Sequence, residues 1–352
     1  DKTLSKVCKG KTPSEILNIT IADIACGSGV FLEEAFAFLQ EYCVQWYIDN
    51  GQIDHLIQTG IDLYKLPLQE KKEILCSCLF GIDIDIHAVE VAKFSLLIKL
   101  IENETAPSVV EVIPILPDLD DNIQFGNSLV SPDKLNGISE AYNQILEIAP
   151  FDWNFINKGN KFDVIIGNPP YVNTEGMHNL LPSAEVEIYK KRFTTSYKQF
   201  DKYFIFIEQA INKIKDDGYV CYIVPNKFFK IGSGEKLRSL IAKNHMLVSL
   251  DDFGDAQLFE DKTIYSSIIL ISKAEQATFA YSSVDSANKL WAGEKINTVE
   301  LASTTLNELP WRLTTDLDFL RMLQKLDAVA VPITKHADIF TGIQTSAEQK
   351  RT

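Results

Sequence analysis

Ile19-Thr-Ile-Ala-Asp-Ile-Ala-Cys-Gly-Ser-Gly-Val-Phe31 decides the fold. Residues 19–25 read as a strand, Cys26–Gly29 as a tight turn, and Phe31, Leu32, Ala35, Phe36 and Leu39 recur at helical spacing over 30–47. Glycines in such a turn let the backbone approach a ligand closely. The helix start beyond it favours negative charge, which suits a phosphate or the carboxylate of an amino-acid ligand. The turn is not the G-x-G-x-x-G of dinucleotide folds.

Outward from this unit the pattern repeats. Cys78–Asp83 reads as a second strand ending in an acid, followed by an amphipathic helix over 86–102. Ile123–Leu129 is a third strand running into a polar turn, and Phe162–Gly167 a fourth. A helix at about 199–216, a strand at Tyr219–Pro225, a helix at 234–243 and strands at 247–252 and 264–272 complete the series. Alternating strands and helices predict an α/β fold with a mostly parallel, seven-stranded sheet. The last two strands, with no helix between them, predict an antiparallel edge hairpin. A helical insert is expected over about 50–78 and a polar lid loop over about 172–196.

Carboxyl ends of strands are where open α/β sheets bind ligands. Asp83 is placed there to accept from ribose hydroxyls, with Ile84 beside it, and Asp85 to cap the following helix. Asn127, at the end of the third strand, is placed to reach an adenine ring. The fourth strand runs straight into Asn168-Pro169-Pro170-Tyr171. Two prolines fix φ and remove two backbone donors. What remains is an amide, carbonyl oxygens and an aromatic face, a loop suited to a planar amine on a ring.

The chain has 352 residues, 46% apolar and 23% charged, room for one large domain with an appendage or for two domains. Its net charge of −14 is the wrong sign for a generally nucleic-acid-coating protein, so any such contact must be local. No apolar run reaches a membrane span, and no signal-peptide pattern opens the chain. Six cysteines without zinc spacing read as reduced thiols of a cytoplasmic protein, and five scattered histidines make no metal pattern.

Asp-x-Ala-Cys-Gly-Ser-Gly-x-Phe-Leu, then Gly-Ile-Asp-Ile-Asp, then Asn-Pro-Pro-Tyr resembles the S-adenosylmethionine-dependent adenine-N6 DNA methyltransferases, in particular the TaqI-like group and the type IIG restriction–modification enzymes. The resemblance covers about residues 4–275, with a short echo at 333–349. It implies a Rossmann-like methyltransferase domain over 1–275, a connecting segment over 276–330 and the start of a truncated target-recognition domain over 331–352. It implies S-adenosyl-L-methionine as cofactor, held by Asp23, Ala25, Cys26, Gly27 and Gly29 at its methionine end and by Asp83 and Ile84 at the ribose. Asn127, where the family more often has Asp, and Phe206 would face the cofactor's adenine. Asn168 and Pro169 would accept hydrogen bonds from the target amine. Tyr171, held out by Pro170, and Phe259 would stack on the flipped base. No metal is implied. Double-stranded DNA is the implied partner, with room for a nuclease domain or subunit of the same restriction–modification system, in the cytoplasm of a bacterium or archaeon. The chain then reads as a piece of a longer protein. The tetrapeptide alone also fits methyltransferases acting on a release-factor glutamine or an RNA guanine, and a non-catalytic DNA-binding or scaffold fragment is the other alternative.

Two basic groups, Lys190, Lys191, Arg192 and Lys198, then Lys227, Lys230, Lys236 and Arg238, are expected to offer phosphate contacts.

Overall fold

A computed structural model describes residues 2–104, 114–135, 146–257, 265–284, 296–331 and 333–338. It divides into two units, Asp1–Arg312 and Leu313–Thr352.

The first unit is built on one sheet. Strand β1 (Ile21–Asp23) is followed by helix α3 (Val30–Asp49), two short helices, α1 (Lys2–Cys8) and α2 (Pro13–Ile16), having preceded it. Further on come β4 (Leu79–Asp83), α5 (Ile86–Ile101), β5 (Ile123–Phe125) and β6 (Phe162–Gly167). Strands β1, β4, β5 and β6 are mutually parallel neighbours in the order β5-β4-β1-β6. The order reverses at β1, which makes the crevice beside it the switch point of the sheet. Helix α3 buries Leu32, Ala35, Phe36, Leu39 and Cys43, the spacing of one helical face. That face meets β1, β4 and α5 and closes a core with Ile21, Leu79, Val89, Leu96, Ile123 and Val164.

Beyond β6 the chain forms α6 (Thr174–Leu180), α7 (Ser183–Arg192), α8 (Lys202–Lys213), β7 (Ile214–Pro225), α9 (Glu235–Lys243), β8 (Leu247–Gln257), β9 (Tyr265–Ser272), β10 (Thr278–Ser283) and β11 (Asn297–Ala302). Strand β7 lies parallel to β6, and β9 inserts antiparallel between β7 and β8.

Five expectations need correction. Among the described residues the sheet has nine strands, not seven. Strand β10 pairs parallel with β8, and β11 antiparallel with β10, so the β8–β9 pair is not an edge hairpin. Consequently 276–330 is not a plain connector: its β10 buries Phe279 and Tyr281 in alternation, the period of a half-buried strand. The insert at 50–78 is only partly helical. It holds a hairpin, β2 (Ile57–Gly60) and β3 (Leu63–Lys65), turned at Ile61-Asp62 with Asp62 at φ 55°, before α4 (Leu68–Cys78). The polar stretch 172–196 is not a loop. Asn173 caps α6, its Oδ1 accepting from Gly176 N at 2.8 Å, and α6 and α7 bury Met177, Val186, Ile188 and Tyr189.

The second unit contains α10 (Leu317–Val329), capped by Asp316 accepting from Asp318 N and Phe319 N. Most of 331–352 lies outside the described residues. No helix among the described residues is long and apolar enough to cross a membrane, and all six cysteines are free thiols.

Candidate active site

Two loops open at the carboxyl end of the parallel strands. The first leaves β1. Cys26 N donates to Ile82 O at 3.0 Å and Gly29 N to Cys26 O at 2.9 Å, closing a turn against β4. Gly27 stands at φ 53° and donates its N–H to Asp83 Oδ2 at 2.8 Å. Gly29, at φ 90°, packs against α5: a Cβ there would come within 3.1 Å of Ala92 Cβ and 3.2 Å of its Cα. This glycine sets how closely the helix that follows the turn approaches α5. Asp83 Oδ1 accepts from Asp85 N at 2.9 Å, and Asp85 caps α5, accepting from His87 N at 2.9 Å. Asp83 therefore holds the first loop, and Asp85 is a helix cap.

The second loop leaves β6. Gly167 has φ 148°, and a Cβ there would lie 2.6 Å from Asp23 Oδ1. Asp23 is buried below both loops and accepts from Ala25 N at 3.0 Å. Burial pushes its carboxyl up to about 7, against the Ala25 hydrogen bond, and neighbouring Asp83 adds to the rise. Pro169 is buried, while Asn168 is exposed. The Tyr171 hydroxyl bonds the Asn168 side-chain oxygen and also lies 2.9 Å from Ile223 O. Its ring meets Tyr203 edge-on, centroids 5.9 Å apart at 83°. Burial, with Asp201 nearby, pushes the phenol above its ordinary value.

Between the loops lies a cavity of about 260 Å³. Of the residues singled out in sequence, Ala25, Asp83, Ile84, Asn127, Asn168, Pro170 and Phe206 line it. Asp23, Cys26, Gly27, Gly29, Pro169 and Tyr171 are not among its lining residues; they form the loops around it. Phe259 lies outside the described residues.

The walls are pinned from several elements. Ser128 Oγ donates to Ile24 O at 2.6 Å, and Gln209 Nε2 on α8 donates to Ser128 O at 2.7 Å. The chain after the second loop is tied to the start of α8: Lys202 N donates to Val172 O at 2.8 Å and Thr174 Oγ1 to Phe200 O at 2.7 Å. Asn127 is more committed than the sequence suggests. Its Nδ2 donates to Glu185 Oε1 at 2.9 Å, and its Oδ1 accepts from Leu129 N at 3.1 Å. Glu185 comes from α7, and no sequence pattern marked it.

Sequence reading also missed Lys202, Gly126, Ser128 and Ile24, all lining residues. Lys202 carried a usable signal. It sits four residues before Phe206 at the head of an aromatic helix, hence on the same helical face. The basic clusters need correction as well. Arg238 is 2% exposed and donates to Phe228 O, Ile231 O and Glu308 O. Arg192 reaches Leu129 O, Ser131 Oγ and Gln209 Oε1. Both guanidiniums satisfy internal acceptors.

The strand order and the cavity at the switch point are those of the class I methyltransferase fold. Residues 77–259 match the Eco57I restriction-modification methylase family. The chain belongs to that family, the match covering just over half of it. It is 40% identical over 350 residues, 99% of this chain and 34% of the relative, to the type II restriction enzyme and methyltransferase RM.Eco57I of Escherichia coli. It is 27% identical over 258 residues, 72% of this chain and 37% of the relative, to the type II methyltransferase M.BstVI of Geobacillus stearothermophilus. In fold it is similar to the solved DrdV–DNA complex, at TM-score 0.54 and 17% identity, over 81% of this chain and 27% of that one. The chain spans about a third of the length of the curated relatives it matches. A methylase of this family takes its methyl group from S-adenosylmethionine, the cofactor of this chain.

The residues fit that cofactor. A carboxylate at the end of β4, a buried aromatic at Phe206 and a lone-pair-bearing loop at Asn168 converge on one cavity. Its volume lies near the lower end of ligand clefts, about 300–1,000 Å³.

Proposed function

We propose that the chain is the adenine-N6 DNA methyltransferase core of a restriction–modification enzyme. One observation carries the reading: Asn168 and Pro170 of the amine-accepting loop line the same cavity as Asp83 and Phe206. A methyl donor and an amine acceptor have to share one enclosed space, and here they would.

S-adenosylmethionine, when bound, supplies an electrophilic sulfonium methyl group. Asp83 would accept from its ribose hydroxyls, and Phe206 and Ile84 would flank its adenine. The loop Cys26–Gly29 would face its methionine end. Asn168 Oδ1 and Pro169 O would accept both N–H groups of the target amine. Those bonds draw the nitrogen lone pair out of the ring and aim it along the cavity. Positioning of this kind contributes several kcal/mol to a two-reactant step, about 7–11 in the best cases. No strong base is needed before attack, because the nitrogen becomes acidic once alkylated and loses its proton to water.

The target base has to leave the duplex, which costs about a few kcal/mol. Stacking on Tyr171, and on Phe259 from the other face, would return about 1–3 kcal/mol per ring. In the structure Tyr171 bonds Asn168; the incoming amine would replace that phenol at the Asn168 oxygen. Double-stranded DNA is thus the proposed substrate. The target-recognition segment proposed for 331–352 and a nuclease elsewhere in the same system remain parts of this reading.

Labelled methyl incorporation into DNA free of adenine methylation tests it, followed by nucleoside analysis. N6-methyladenine is the expected product. N4-methylcytosine, or labelling of RNA or protein in place of DNA, would overturn the reading.

A further inference from the structure

Lys202, the first residue of α8, is about nine-tenths buried and lines the cavity. Its nearest ion-pair partner among the described residues is Glu185 Oε1 at 3.8 Å, too long for a hydrogen bond. The ammonium also stands 5.6 Å from the Tyr189 ring centroid. Burial pulls its pKa down, while Glu185 and Asp83 pull it back up. A largely buried lysine whose ammonium makes no hydrogen bond among the described residues gains from an acceptor supplied on its open side. The cavity it lines is where a ligand could supply one.

The anchoring behind it is elaborate. Glu185 Oε1 takes hydrogen bonds from Asn127 Nδ2 and the Tyr189 hydroxyl. Its carboxylate is therefore fixed, and the fixed carboxylate holds the lysine by charge at a distance that leaves the ammonium donors uncommitted. On the cavity wall Lys202 stands with Asp83, Asn127 and Phe206. Asp83 can only accept when ionised, and Lys202 can only donate. The adenosyl group carries both kinds of atom: hydroxyl donors on the ribose, and lone pairs on the ribose oxygens and ring nitrogens.

We infer that Lys202 is a cofactor-binding residue whose ammonium, held by Glu185, donates a hydrogen bond to a lone pair of the adenosyl group. The inference rests on the methyl-transfer reading of the cavity and adds a contact to it. It also gives α7 a purpose: this helix, lying between the amine-binding loop and α8, carries the carboxylate that sets the lysine.

Calorimetric titration of the chain with S-adenosylhomocysteine and with 5′-methylthioadenosine, which keeps the adenosyl group and lacks the amino acid, tests it. Lys202→Met is expected to weaken both ligands by a similar factor, about tenfold or more for a charge-assisted bond. Lys202→Met leaves Glu185 buried without its cation, so the double variant Lys202→Met/Glu185→Gln is titrated beside it and should show the same loss. Wild-type affinity in either folded variant would overturn the inference alone. So would a loss confined to S-adenosylhomocysteine, because it would place the effect at the methionine end. If the wild-type chain binds neither ligand, the cofactor reading of the cavity falls first and this contact with it.

Discussion

The two loops that meet at the cavity are built from opposite materials. Cys26–Gly29 turns through positive-φ glycines and commits its backbone N–H groups to internal acceptors, Cys26 N to Ile82 O, Gly27 N to Asp83 and Gly29 N to Cys26 O. Asn168–Tyr171 is stiffened by two prolines, which have no N–H, and presents oxygens. One loop is closed by its own N–H groups, and the other has two positions with no N–H to give. They rest on a common floor, since Asp23 takes Ala25 N from the first and lies against Gly167 at the root of the second. The contrast teaches that two loops at one sheet edge can be fixed by opposite means, hydrogen bonding in the first and proline stiffness in the second.

The largest effect is expected on the acceptor side. Asn168→Ala should lower methyl transfer by about 10²–10³-fold, the usual scale for deleting one preorganised polar contact to a reacting group. S-adenosylhomocysteine affinity should change little. Initial rates with labelled cofactor check the first, and calorimetry the second. An equal loss in both would erase the division between the loops.

The shared floor should show itself as a pH dependence. The Asp23 carboxyl, pushed up to about 7 by burial, binds its proton more tightly folded than unfolded. Its contribution is therefore full below about pH 4 and is lost as pH rises through about 7, by at most roughly 4 kcal/mol. Urea unfolding of the wild type should weaken between pH 5 and pH 8, and Asp23→Asn should flatten that slope. A wild type equally stable at both pH values would remove Asp23 from the floor.

On the glycine-loop side, Asp83→Ala should weaken S-adenosylmethionine binding by about tenfold, the worth of one charge-assisted hydrogen bond, measured calorimetrically. It deletes the acceptor for Gly27 N at the same time, so faster amide exchange at Gly27 is the accompanying sign. The smallest effect belongs to Tyr171→Phe. It keeps the ring but frees Asn168 of the phenol. Turnover should stay within a few-fold of wild type and DNA affinity should hold or rise, by an amount on the scale of one neutral hydrogen bond, about 1 kcal/mol. A fall in turnover like that of Asn168→Ala would make the hydroxyl part of the amine site.

The legible parts of the molecule were those with short-range causes. The 19–31 unit, the acid ending β4 and the Asn-Pro-Pro-Tyr turn are local patterns of periodicity, glycine and proline, and Ala25, Asp83, Asn168 and Pro170, which they mark, line the cavity. The helices of 174–192 look like a loop in sequence because their composition is polar, although Asn173 and Pro182 stand at their caps. Strands β10 and β11 were missed because a short alternating run such as Thr278–Ser283 gains its stability from the neighbouring strand, which no window of sequence contains.

By itself the sequence determined which side chains would stand at the ends of β1, β4, β5 and β6, because strand, turn and helix are set by neighbours in the chain. Only the tertiary structure decided how those ends meet. Glu185 and Asn127 are 58 positions apart and bonded, Lys202 joins them from a third element, and Gly167 must lack a side chain because Asp23, far away in sequence, lies beneath it. Such contacts depend on long-range packing and on burial, which shift charge and exclude atoms through space, and neither quantity is written along the chain.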